Sequence, residues 1–256
     1  MATKPMSISD VAALLAFPFK TPDWGGKFAI GVGLLLLSIF IPILPALAVY
    51  GYLLAVMRQV IEGKDASLPE WQDWGKLFLD GLKAFVVGLV YLLPAALVTG
   101  LGCGLYFAAS IALPIATSSG TTNSNSGSAF FVLFVASLIL FFFSLAVGSI
   151  LTMLGSLPLP MAEASLSKTS LLSRAFAVGD VVRMARANPG GYIVAWLILA
   201  GMLVFMYCAT LIVYYTLVLA CLIPFLILPA SFYILLIAAA LFGEAYRVSV
   251  QRLSGS

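Results

Sequence analysis

The sequence predicts an all-α polytopic membrane protein with about four full spans, a first apolar segment that is proline-broken or re-entrant, and two or three interfacial amphipathic helices. Three observations predict it. The 256 residues are 62% hydrophobic and 9% charged, with a mean hydropathy of +1.13. Soluble domains carry roughly a quarter of their residues as charges. Second, no Asp, Glu, Lys or Arg occurs in Phe28–Met57, Ala84–Ala162 or Ala187–Gly243. Third, the segments between those blocks place apolar and charged residues at helical spacing on opposite faces. Residues 1–256 read as one integral membrane domain.

The chain opens on M-A-T-K-P-M-S-I-S-D. This is too polar for a cleavable signal peptide, so insertion is expected to rely on internal spans. Ser7–Phe17 reads as a short amphipathic helix with Ser7 as cap and Asp10 at the capping-box position. Ile8, Val11, Ala12 and Leu15 share its apolar face, and Pro18 and Pro22 break the chain after it. Trp24 and Lys27 then sit where headgroup anchors precede a span.

Phe28–Met57 is interrupted by I-P-I-L-P, whose Pro42 and Pro45 remove backbone donors and force a kink or a break. Basic residues flank both ends, which favours two arms that enter and return over one broken crossing. From Ser67 a capping box leads into a second helix. Trp71, Trp74, Phe78 and Leu82 fall on its apolar face, and Asp73, Lys76, Asp80 and Lys83 on its polar one. The polar face reads as solvated surface pairs. The apolar face reads as an interfacial docking surface that hinges into the next span near Gly81.

Ala84–Thr117 is longer than one straight crossing needs, and Pro94 with the G-L-G-C-G run is expected to kink or interrupt it. Thr117–Ser128 is polar and free of Lys and Arg, so it is placed outside. Ala129–Leu157 returns, ended by Pro158 and Pro160. Ala177–Ala187 is the next amphipathic helix. Val178, Val181, Val182 and Ala185 oppose Asp180, Arg183 and Arg186, and the two arginines join the candidate docking residues. Asn188–Gly191 breaks it, and Ile193–Phe242 is long enough for two spans that turn at Cys221–Pro229, around Pro224 and Pro229. Both termini and the charged loops are placed in the cytoplasm.

A weak echo links 1–60 and 170–252. Each contains an Asp-Val amphipathic start, a Pro-interrupted apolar run, and an aromatic followed by Arg. The echo reads equally as duplication or as the common grammar of membrane segments.

Trp24, Gly51-Tyr52, Leu68-Pro69, Asp73, Gly75, Phe78, Asp80-Gly81, Pro94, Ala175-Phe176 and Asn188-Pro189 make the chain resemble a prokaryotic polytopic membrane family of unknown function, DUF4013. The resemblance covers nearly the whole chain and is most specific at L-P-x-x-x-D-x-G-x-x-F-x-D-G. Pro158, Pro160 and Glu163, followed by an amphipathic helix, are similar to the membrane domain of some glycerophosphodiester phosphodiesterases. Neither resemblance implies an activity for this chain.

The chemistry that composition excludes is broad. With no histidine, the commonest general base, haem ligand and zinc ligand are missing. No Asp lies between Asp80 and Asp180, as paired intramembrane acids would require. G-L-G-C-G has no cation beside it for a phosphate loop. Cys103, Cys208 and Cys221 lie in apolar blocks as small buried hydrophobes. Glu163 and Glu244 each flank a span end and are expected to be hydrated or paired with Lys168 and Arg247.

The expectation is therefore a non-enzymatic membrane accessory, scaffold or complex subunit with no cofactor and no metal. Its partners are membrane lipids, anionic headgroups among them, and a membrane protein or a second copy, with no nucleic acid. The alternatives are a small-solute transporter or channel using the proline breaks, and a lipid-binding membrane protein.

Overall fold

The structure, a computed structural model, describes residues 8–118, 124–215 and 223–254. Among these residues there is no strand, and the chain forms ten helices: α1 (Ile8–Lys20), α2 (Trp24–Phe40), α3 (Leu44–Ile61), α4 (Trp74–Ser118), α5 (Ser124–Ser156), α6 (Leu159–Thr169), α7 (Leu172–Ala175), α8 (Val178–Ala187), α9 (Pro189–Tyr215) and α10 (Ile223–Ser254). Five described stretches are long and apolar enough to cross a membrane: Leu44–Ile61, Trp74–Ala112, Ser128–Thr169, Pro189–Tyr215 and Pro224–Ser254. The bent pair α1 and α2, which meet at 92°, passes the same test taken together. Of the predicted loop Thr117–Ser128, residues 119–123 lie outside the described residues and both ends are helical, α4 reaching Ser118 and α5 starting at Ser124; the Cys221 end of the last predicted turn also lies outside the described residues.

The chain divides into two compact units, Met1–Val87 with Pro160–Ser256, and Gly88–Leu159. Both limbs of the internal echo fall in the first. There α10 packs against α1, α2, α3, α8 and α9. Tyr52, Val56, Phe232, Leu236, Ile237, Ala240 and Leu241 are fully buried at its centre. Two glycines allow the close packing. A Cβ on Gly31 would strike the Phe232 ring, and one on Gly243 would lie 3.1 Å from the Met57 carbonyl.

The first apolar block returns on itself. Trp71 stacks on Tyr52 of α3 at 3.9 Å, while its Nε1 donates to the Lys27 carbonyl at the start of α2, at 2.8 Å. A continuous helix rising about 1.5 Å per residue would hold Lys27 and Tyr52 roughly 37 Å apart. The break at Ile41–Ile43, with Ile43 at φ 78° and Pro45 in the first turn of α3, therefore reverses the chain. Pro42 lies in that break, as the prolines predict.

Pro22 lies in the turn between α1 and α2 and Pro158 in the turn after α5, as expected, but Pro94, Pro224 and Pro229 do not break helices. Pro94 lies inside α4, an uninterrupted 45-residue helix, and Pro229 lies inside α10, which Pro224 opens at its first turn. A proline removes one donor from the ladder, and within an apolar span the remaining bonds and neighbouring helices hold the helix together. Pro18 is likewise inside α1, which runs on to Lys20. That helix turns Phe17 and Pro18 inward and leaves Ala12 exposed, so its buried face differs from the predicted one. The G-L-G-C-G run also stays helical. A Cβ on Gly102 would meet Ser144 of α5, while Gly100 and Gly104 face open space. Cys208 is exposed and Cys103 half-buried, so neither is the buried hydrophobe predicted.

Hydroxyls inside the apolar helices close on their own backbone. Ser137 and Ser144 donate to the carbonyls of Phe134 and Phe141, Thr152 to Gly148, and Thr210 to Met206. Each polar atom is thereby satisfied without a partner helix.

Candidate functional site

Several polar side chains of the first unit meet along the segment 64–73 between α3 and α4. Sequence reasoning made its second half the start of an amphipathic helix, but α4 begins only at Trp74. Tertiary bonds claim the groups that the cap would have used. Ser67 Oγ donates to Gln59 Oε1 at 3.2 Å, and the Leu68 amide donates to Thr21 Oγ1 at 3.1 Å. Tyr52 Oη donates to the Pro69 carbonyl at 3.0 Å. Lys27 Nζ donates to the Leu68 carbonyl at 3.1 Å and pairs with Glu70 at 2.7 Å, so it braces the fold and is no headgroup anchor. Asp73 takes a left-handed φ of 52°, and its carbonyl accepts the first bonds of α4, from the Lys76 and Leu77 amides.

Trp71 is therefore no docking residue. It lies off the helix, buried between Tyr52 and Trp74, whose ring centroid is 5.7 Å away. Trp74 and Leu82 are exposed and Phe78 half-buried, on one arc of α4 with exposed Leu79. The opposite arc, Leu77, Asp80, Gly81, Ala84 and Val87, is buried. Asp80 thus leaves the solvated face assigned to it. Arg58 explains this, since its NH2 donates to Asp80 Oδ2 at 3.0 Å and its Nε to the Ser167 carbonyl at 2.8 Å. Ser167 Oγ in turn donates to the Leu54 carbonyl at 3.1 Å. One guanidinium thereby ties α3, α4 and α6 together. An acid at a helical position beside lysines looks solvated in sequence, and only the approach of α3 reveals its partner.

That approach is set by two glycines. A Cβ on Gly51 would overlap the Leu77 carbonyl, and one on Gly81 the Leu47 carbonyl. The backbones of α3 and α4 cross in direct contact here, as small residues permit in membrane helices. No hinge interrupts α4 at Gly81.

A crevice of about 830 Å³ opens between α1, the 63–67 loop and α10. Glu244 accepts both Arg247 Nε and NH2 there, at 2.9 and 2.7 Å, the pairing expected from sequence. The hydroxyls at its wall are engaged, Thr21 donating to the Phe17 carbonyl and Ser67 to Gln59. Nearby, the hydrogen bond and charge of Lys64 hold the Glu62 carboxyl below its usual range. Among the described residues no group of three His, Cys, Asp or Glu could hold a metal ion. A second, apolar groove of about 550 Å³ lies between α9 and α10, walled by Phe205, Met206, Leu226 and Ile234.

Arg183 and Arg186 are exposed on α8, opposite buried Val181, while Val178 is exposed against expectation. Buried Asn188 closes the junction with α9, accepting the Gly191 amide at 3.3 Å and donating to the Ala245 carbonyl at 3.5 Å. Glu163 is half-buried and forms no ion pair with Lys168.

A family model described as "Protein of unknown function (DUF4013)" matches residues 34–214. The matched range holds every motif residue that carried the resemblance except Trp24. No curated protein and no solved structure matches the chain, and the resemblance to glycerophosphodiester phosphodiesterase membrane domains finds no counterpart.

Proposed function

We propose that this chain, which belongs to the DUF4013 family of proteins of unknown function, serves as a non-enzymatic integral membrane subunit that docks a second membrane protein. The observation that carries this is the split face of α4. Its inner arc is consumed by Arg58, Gly51 and the core, while Trp74, Leu79 and Leu82 stay uncovered beside exposed Lys76. Aromatic anchors bordered by charge are the composition of protein interfaces. The transporter alternative draws less support. Pro94 and Pro229 lie within helices, where no unwound carbonyl faces a path, and the break at Ile41–Ile43 presents exposed apolar side chains.

A photo-crosslinking amino acid placed at Leu79 or Leu82 in native membranes should yield adducts to one and the same protein. At Phe205, on the open face of α9, it should yield lipid adducts. Lipid adducts at all three positions would end the proposal.

Both termini and the charged loops are assigned to the cytoplasm, following the positive-inside rule. In a cysteine-free background, a cysteine introduced at Asn123 should react with an impermeant maleimide added to intact cells. Protection there would invert the arrangement.

A further inference from the structure

One polar cleft lies apart from the α4 face and from the crevice beside α1. It measures about 370 Å³ and is walled by α6, α7, α8 and the last turns of α10. Three cations reach it from three separate helices: Lys168 from α6, Arg174 from α7 and Arg183 from α8. The cleft holds one acid, Asp180, so three positive charges less one negative leave a net of +2. Asp180 lies 3.8 Å from Arg174, with both side chains about 60% exposed, an ion pair worth little. Among the described residues neither Lys168 nor Arg183 has a carboxylate within ion-pair distance.

The back wall differs in character. Met161, Val181 and Tyr246 are buried there. Thr169 cannot act as a free donor, because its hydroxyl donates to the Ser165 carbonyl. What remains available is a set of N–H donors on two guanidiniums and one ammonium, above a floor of Met161, Val181 and the Tyr246 ring, whose hydroxyl is engaged with Ser165. Solvated loop charges obeying the positive-inside rule need not converge, and these do so from three elements on one concavity. Arg186, on the same helix as Arg183, lies outside it.

We propose that this cleft binds a phosphate group, with Arg174 and Arg183 donating in forked geometry and Lys168 supplying a point charge. The chemistry is shared by an anionic phospholipid headgroup and by a soluble organic phosphate. The adjoining Asn188–Pro189 start of α9, where an apolar span begins, sets the cleft at headgroup depth.

Native mass spectrometry of the full-length protein tests this, with phosphatidylglycerol, diacylglycerol and glycerol 3-phosphate as probes. The wild type should retain one phosphatidylglycerol in preference to diacylglycerol. Lys168→Gln with Arg183→Gln should weaken that retention by about tenfold, as loss of two charge-assisted donors implies. Arg186→Gln should leave it unchanged. Displacement by glycerol 3-phosphate would identify a soluble phosphate as the ligand, and retention in its presence would identify the lipid. Equal retention of diacylglycerol, or equal weakening by Arg186→Gln, would overturn the site in favour of diffuse attraction. The altered side chains are exposed, so an unchanged unfolding temperature should accompany the double variant and separate binding loss from misfolding.

Discussion

Gly81→Ala is expected to destabilise the first unit strongly. The added Cβ would occupy the position of the Leu47 carbonyl, which belongs to backbone and cannot swing aside as a side chain can. Relief requires α3 and α4 to separate. Overpacking of this kind costs about 1–3 kcal/mol where side chains yield, and a backbone contact belongs at or above the upper end. Separation would also lengthen the Arg58–Asp80 bond and the Tyr52–Trp71 stack, so losses beyond the crossing point should follow. Gly51→Ala meets the Leu77 carbonyl and should behave alike. Gly88→Ala, whose Cβ enters open space on the same helix, should be neutral to slightly stabilising. Thermal unfolding of the three variants in detergent ranks them, and equal midpoints would refute the crossing.

Removing the Arg58 guanidinium is the second large effect. In Arg58→Leu the carboxylate of Asp80 keeps a side chain only 12% exposed with its cation gone, and the Ser167 carbonyl loses a donor. Stranding one member of a buried pair costs about 3–5 kcal/mol, and residual solvent access places this one near 3. For a chain of this size that corresponds to roughly 6–12 °C in unfolding midpoint. Arg58→Leu combined with Asp80→Leu should recover most of the loss, since the pair itself is nearly balanced against its desolvation. The positive coupling between the two substitutions is the measurement that matters. If the double variant is as unstable as the sum of the singles, the two side chains act independently.

Both effects act through Asp80 and Gly81, at the end of the Leu68–Gly81 stretch that carried the resemblance, and they explain the residue types there. Leu68 is buried, Pro69 offers its carbonyl to Tyr52, and Asp73 starts α4 from a left-handed backbone. Asp80 answers Arg58, and Gly81 lets α3 in. A stretch dense in charge and tryptophan could be mistaken for an active site. Its polar atoms are mostly committed to holding helices together, and the uncovered arc at Trp74, Leu79 and Leu82 is what remains for a partner.

Sequence alone determined the class, the apolar blocks and a break near Pro42, while the reversal at that break was decided by the contacts of Trp71 with Tyr52 and Lys27. The class, the blocks and the break follow from one-dimensional properties: the length of charge-free runs, the rise of a helix and the missing donor of proline. It also indicated the Glu244–Arg247 pair, because three residues along a helix are neighbours whatever the fold. Tertiary structure alone decided which residues of 67–83 face inward. Helical spacing put Asp80 with the lysines and Trp71 with the docking face. The partners that moved them, Arg58, Tyr52 and Lys27, lie 19 or more residues away in the chain. The same holds for Pro94 and Pro229, whose local tendency to break a helix gives way to an apolar surrounding in which an unpaired backbone has no water to turn to.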